Sequence, residues 1–209
     1  ADVYLSVLEA LKHAAGFLRQ RLNLVWLDVE EYERGGARAR LEQLDQFGGI
    51  LIPGGFGERG VPGKLKIIQR ARERRLPYFG ICYGMQLAVV EYARHVLGWR
   101  GAHSTEINPQ TRYPVVDLMS SQKEPLSRER FGGTMRLGAY PAWLKKGTLA
   151  AKIYGQPNIS ERHRHRFEIN SRLVPELERA GLVFSGVSPD GRLMELVELP
   201  RRTHPFFVG

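Results

Sequence analysis

The strongest constraint on the fold is a pair of short apolar runs, Gly48-Gly49-Ile50-Leu51-Ile52-Pro53 and Tyr78-Phe79-Gly80-Ile81-Cys82, with an amphipathic stretch between them. Runs this short and this uniformly apolar suit strands buried on both faces. Residues 64–75 predict the helix that joins them, stopped by Pro77, and residues 85–97 predict a mostly apolar helix after the second strand. Short strands alternating with helices of about 10–15 residues make βαβ units. Right-handed crossovers then give a doubly wound, mostly parallel sheet with helices on both faces. The expected class is α/β, flavodoxin-like.

Ahead of this unit, Val3, Val7, Leu8, Leu11, Ala14, Ala15 and Leu18 fall at helical spacing, with Asp2 as the cap. Leu24-Val25-Trp26-Leu27-Asp28-Val29 predicts a strand, Gly35-Gly36 a turn, and residues 38–46 a helix. Beyond Gly98 the pattern changes to strands at 113–119, 132–140, 166–170, 182–187 and 193–199, with few helices between them. This predicts an antiparallel extension on the same core. The polar stretch 120–130 predicts a loop. At 209 residues the chain is expected to be a single domain.

Lys plus Arg number 31 against 22 Asp plus Glu, a net charge of +9, which raises the question of nucleic acid. The Arg-rich segment Gln69-Arg70-Ala71-Arg72-Glu73-Arg74-Arg75 mixes in an acid and reads as a solvated helix face. No zinc-finger spacing or aromatic RNA-binding signature accompanies the basic stretches, so no nucleic-acid partner is expected. No run approaches the roughly 18 apolar residues of a membrane span, and the N-terminus lacks a signal layout. One cysteine excludes an internal disulfide and a multi-cysteine zinc cluster. A cytoplasmic location follows as the expectation.

The five residues Gly80-Ile81-Cys82-Tyr83-Gly84 lie between a predicted strand and a predicted helix. This is the nucleophile-elbow pattern with cysteine in the serine position. A sharp strand-to-helix bend strains the nucleophile's backbone, and flanking glycines make room for it. The side chain then projects at the carboxyl edge of the sheet, where open α/β folds bind ligands. A free thiol with a pKa of about 8.5 is only about 3% thiolate at pH 7. A helix N-terminus contributes about 1 kcal/mol, too little to activate it alone, so a histidine held by a carboxylate is required. Pro53-Gly54-Gly55-Phe56-Gly57 ends the neighbouring strand, and its amides are candidates for an oxyanion site. On spacing alone, a buried packing cysteine beside an ordinary glycine loop remains open.

Pro53-Gly54-Gly55-Phe56-Gly57 with Gly80-Ile81-Cys82-Tyr83-Gly84-Met85-Gln86 resembles the class I, triad-type glutamine amidotransferases. Four later motifs narrow the resemblance to the glutaminase domain of the CTP synthase family. They are Ser104-Thr105-Glu106, Gly132-Gly133-Thr134-Met135-Arg136-Leu137-Gly138, Glu161-Arg162-His163-Arg164-His165-Arg166-Phe167-Glu168-Ile169-Asn170 and His204-Pro205-Phe206-Phe207-Val208. The resemblance implies that Cys82 attacks the side-chain amide of L-glutamine, releasing ammonia and forming a thioester. Backbone amides of Gly55 and Tyr83 would form the oxyanion hole. Gly54, Gly55, Tyr83, Gly84, Met85 and Gln86 would line the substrate site, with Glu106 on the α-ammonium and Arg166 beside the α-amino-acid end. No cofactor and no metal is implied for this domain. ATP and Mg are implied for a synthetase domain that receives ammonia and aminates UTP, with GTP as activator and a homotetramer as the assembly.

By spacing alone the Arg162–Arg166 run could instead bind phosphate, and His163 with His165 share one strand face without an evident third metal ligand. The family's catalytic His and Glu lie in a segment after the His-Pro-Phe-Phe stretch, so the residues 1–209 are expected to lack that segment and the family's first strand. His204 belongs to the preceding motif and is not promoted to general base; His13, His95 and His103 read as ordinary. Tyr83 replaces the leucine usual in this subfamily, and Pro62 stands where Glu is frequent. Two alternatives are kept: a binding or regulatory module without turnover, and the glutaminase of another triad enzyme such as the GMP synthase type.

Overall fold

The computed structural model describes residues 4–118 and 135–209. The two apolar runs form parallel neighbours, β1 (Ile50–Ile52) and β2 (Tyr78–Gly80), joined by α3 (Val61–Arg74) and followed by α4 (Tyr83–His95). α3 begins three residues before the expected 64 because Gly60 takes φ 72° as its cap. Pro62 then sits in the first turn, where its missing N–H has no helical partner to lose.

The main sheet runs β1–β2–β10 (Phe207–Val208)–β9 (Met194–Glu198)–β8 (Val183–Val187)–β5 (Arg136–Leu144)–β6 (Asn158–His165). Its first three strands are parallel and every later pair is antiparallel. The α/β class with an antiparallel extension therefore holds, and the extension is the larger part of a mixed sheet. A second, three-stranded sheet is β3 (His103–Ser104), β4 (Pro114–Leu118) and β7 (Phe167–Ile169). α4 lies between the two sheets, touching β1 and β2 on one side and β3, β4 and β7 on the other. That position explains why it buries every residue from Tyr83 to Ala93 and is apolar on nearly all sides.

Residues 24–29 depart from expectation. They form no strand, and a 3₁₀ turn, Val29–Tyr32, follows, capped by the Asp28 carboxylate accepting from Glu30 N–H at 3.0 Å. Leu24, Val25 and Trp26 are exposed, and among the described residues no strand pairs with the outer edge of β1. Strand propensity without a neighbour to ladder against does not hold a strand. α1 (Leu5–Phe17) forms as spaced, but none of its residues is fully buried. The remaining helices are short: α2 (Ala37–Gln43), α5 (Leu149–Tyr154) and α6 (Val174–Arg179). The six-residue α5 and α6, too short for a periodic signal, were not expected. Asp2, Val3, the 120–130 loop and Gly132 to Thr134 lie outside the described residues.

One buried charge ties α3 to α4. Glu91 is fully buried and accepts from both Nε and Nη2 of Arg72 at 2.9 and 2.8 Å, while His95 Nδ1 lies 3.1 Å from it. Glu91→Gln keeps the volume but strands a mostly buried guanidinium. It is expected to cost about 3 kcal/mol in urea unfolding, and the double change Arg72→Met with Glu91→Leu to recover most of that.

Candidate active site

The bend after β2 is built by contact. Ile81 N–H donates to the Ile52 carbonyl at 2.9 Å, so the ends of β1 and β2 stay side by side. Cys82 follows with φ 53° and ψ −100°, one of three non-glycine residues at positive φ among those described. Such a conformation costs on the order of 1–3 kcal/mol and persists only when its surroundings enforce it. Both flanking glycines do so. A Cβ on Gly80 would stand 2.7 Å from the Gly84 carbonyl carbon, and one on Gly84 would stand 2.2 Å from the Ile52 oxygen.

The loop after β1 closes over this bend. A Cβ placed on Gly54 would meet the Cys82 Cβ at 3.7 Å, and one on Gly55 would meet the Tyr83 ring at 3.5 Å. Tyr83 is buried, and its hydroxyl donates to the Gly57 carbonyl. The tyrosine that replaces leucine thus pins the glycine loop to the first turn of α4, with the Lys64 ammonium 5.2 Å from its ring centre. Gly57 N–H in turn donates to Glu106 Oε1 at 3.2 Å, and Glu106 N–H to Ser104 Oγ at 3.2 Å. On the far side, the Gln86 side-chain amide donates to the Phe167 carbonyl at 2.9 Å, next to half-buried Arg166. Close approaches and hydrogen bonds thus tie the 54–57 loop to Cys82, Tyr83 and Glu106, and tie Gln86 to the strand that follows Arg166. Met85, on the same turn, is buried.

Burial raises the Cys82 thiol above its ordinary pKa; the Tyr83 backbone N–H offsets part of this, and the Glu168 and Glu106 carboxylates push it further up. Five of the six histidines are hydrogen-bonded elsewhere. His204 is buried, with Nε2 donating to the Ala71 carbonyl at 3.1 Å and Nδ1 accepting from Phe206 N–H at 3.2 Å. His103 Nδ1 accepts from Ser104 N–H at 2.9 Å, and burial with nearby Arg94 lowers its pKa to about 4. His95 faces Glu91 and His13 is exposed on α1.

His163 and His165 do share one face of β6, with Nδ1 of the first 2.8 Å from Nε2 of the second. His165 Nδ1 is 3.2 Å from the Phe167 carbonyl, which can only accept. So His165 carries its proton on Nδ1, its Nε2 accepts, and His163 donates from Nδ1. Burial lowers both pKa values to about 4, keeping the pair neutral. Beside them lies a group that motif reading passed over: Arg136, Glu168 and Glu195, all buried. Its signal was present in the alternation of β6, which sends Arg162 and Arg164 outward and the histidines inward.

The family of class I glutamine amidotransferases matches residues 1–208. The CTP synthase of Staphylococcus carnosus is 55% identical over 215 residues, covering 100% of this chain and 39% of that protein. The CTP synthase of Pyrococcus furiosus is 53% identical over 204 residues, covering 97% of this chain and 37% of that protein. The chain thus spans about two-fifths of the length of these curated relatives. Among solved structures, the glutaminase domain of Trypanosoma brucei CTPS with bound acivicin superimposes with a TM-score of 0.91 at 38% identity, covering 100% of this chain and 78% of that one.

Proposed function

The chain belongs to the class I glutamine amidotransferases, as a glutaminase domain of the CTP synthase kind, and from that premise we propose that Cys82 is the nucleophile that releases ammonia from L-glutamine. The observation that carries this reading is the strained Cys82 backbone, φ 53°, at the strand-to-helix bend, with the Gly54-Gly55 loop against it. A buried packing thiol needs no such conformation.

In the proposed reaction the Cys82 sulfur, deprotonated, bonds to the side-chain carbonyl carbon of glutamine. The carbonyl electron pair moves onto oxygen, facing the Gly55 and Tyr83 amides. Collapse breaks the C–N bond; the amide nitrogen takes up the proton and leaves as ammonia. Water then cleaves the γ-glutamyl thioester, restoring the thiol and releasing glutamate. Glu106 would take the α-ammonium, and Arg166 would sit at the α-amino-acid end. Gripping both charges makes short amides poor substrates, because the site's polar groups are left unpaired by them. Among the described residues no histidine stands as the proton acceptor. The resemblance gives that role to a His–Glu pair following the His-Pro-Phe-Phe stretch.

The ammonia is proposed to pass to a synthetase domain that aminates UTP with ATP and Mg²⁺, the relatives being CTP synthases of greater length. GTP activation and a tetramer are carried from the resemblance. Among the described residues no helix is long and apolar enough to cross a membrane. Treating the intact protein with a glutamine-like alkylating analogue is expected to add one label, on the Cys82 peptide, and free glutamine to protect it. A Cys82 peptide of unchanged mass would leave a binding module without turnover in its place.

A further inference from the structure

Gly57 has both of its peptide groups taken by side chains. Its N–H donates to Glu106 Oε1 at 3.2 Å, and its carbonyl accepts from the Tyr83 hydroxyl. The loop is also held where it leaves β1, since the Ile52 carbonyl accepts from Ile81 N–H at 2.9 Å. Between these two anchors, among the described residues, no backbone hydrogen bond holds Gly54, Gly55 or Phe56, and the Phe56 side chain is 85% exposed. Consecutive glycines have no Cβ to restrict their own φ and ψ. The direction of the Gly55 N–H is therefore inherited from the anchors, and the Gly57 anchor is the one made by side chains. The buried Tyr83 ring supplies the floor, 3.5 Å from where a Cβ on Gly55 would stand. Burial, with the Glu106 and Glu58 carboxylates next, raises the Tyr83 phenol above its ordinary pKa, so the hydroxyl keeps its proton and donates.

We propose that the Tyr83 side chain is a positioning residue that sets the reach of the site: through Gly57, its hydroxyl fixes the span from the Glu106 carboxylate to the Gly55 amide and so selects glutamine over asparagine. This rests on Cys82 as the nucleophile, with Gly55 in the oxyanion hole and Glu106 as the partner of the α-ammonium. Tyr83 adjoins Cys82 in the chain, so its bond to Gly57 makes the loop and the sulfur move as one body. A substrate must then meet Glu106 with its ammonium and the Gly55 and Tyr83 amides with its carbonyl oxygen at the same time. Asparagine is one methylene too short to do both. A loop free to slide would follow the shorter molecule, whereas a loop bonded on both sides of Gly57 holds its place, and a misplaced carbonyl carbon reacts slowly.

The test uses two diazoketone amino acids, one of glutamine length and its homologue shorter by one methylene, and reads their rates of labelling the Cys82 peptide of the intact protein by mass. Tyr83→Phe keeps the ring and removes the hydroxyl. Phenylalanine fills the same space, and Gly57 lies between exposed Phe56 and Glu58, so water can take its carbonyl and the fold is kept. The parent protein is expected to prefer the longer reagent by about 100-fold and Tyr83→Phe by only about tenfold, chiefly because the longer reagent now labels more slowly. Half-saturation by the longer reagent should move less, since Glu106 and Arg166 remain to bind it. A variant slowed equally toward both reagents has lost only structural support, and it overturns the proposal. So does a variant with unchanged rates. Failure of the nucleophile reading shows separately, as a parent protein whose Cys82 peptide neither reagent labels.

Discussion

Cys82→Gly is expected to lose about 10⁴-fold or more of the glutamine-dependent activity and yet to melt about 2–4 °C higher than the parent protein. The first half follows from removing the group that forms the covalent bond. Ammonia-dependent synthesis in the full-length enzyme should survive, since ammonia bypasses the thioester. The second half follows from φ 53° and ψ −100° at this position. Glycine relieves roughly 1–3 kcal/mol of strain and loses under about 1 kcal/mol through its more disordered unfolded chain, a net gain near 1 kcal/mol. Cys82→Ala keeps a Cβ, so it should lose the activity without the gain. Retained glutaminase activity in either variant removes the mechanism. A glycine variant less stable than the alanine one removes the strain.

Gly84→Ala should be the most damaging small substitution in the site. Helix propensity alone favours alanine by about 1 kcal/mol. Contact decides otherwise: the new methyl would lie 2.2 Å from the Ile52 oxygen and 3.0 Å from its carbon, both backbone atoms of β1. Neither can rotate away, so α4 must lift off the sheet, at a cost of about 3 kcal/mol, and the displaced nucleophile should cost about 10²-fold in kcat. Gly16→Ala near the end of α1 meets nothing within 4 Å and should instead stabilise by up to about 1 kcal/mol. Thermal melts of the two variants shifting in the same direction would refute this account.

Gly80 and Gly84 show how much of the site is written in the sequence. The elbow was legible because its requirement is local: a bend this tight admits only small residues at Gly80 and Gly84, and the sequence has them. β1, α3, β2 and α4 were legible for the same reason, each carrying its own period. Residues 24–29 were misread because their strand-like composition says nothing of whether an edge is available to pair with. The ion pairs of Arg136 with Glu195 and Glu168 were invisible because their members come from three strands, β5, β9 and β7, far apart in the chain. Tyr83 fell between these cases. Its backbone place followed from the motif, whereas its hydroxyl bond to Gly57 depends on a loop 26 residues away.

Among the described residues β6 is the last strand of the main sheet, and it turns Ser160, Arg162 and Arg164 to solvent while His163 and His165 face inward. A terminal strand is where a second molecule can add itself, and flexible cations along such a strand discourage that stacking. Part of the chain's positive excess is thereby accounted for as a fence against self-association, which leaves less of it to be explained by any polyanionic guest.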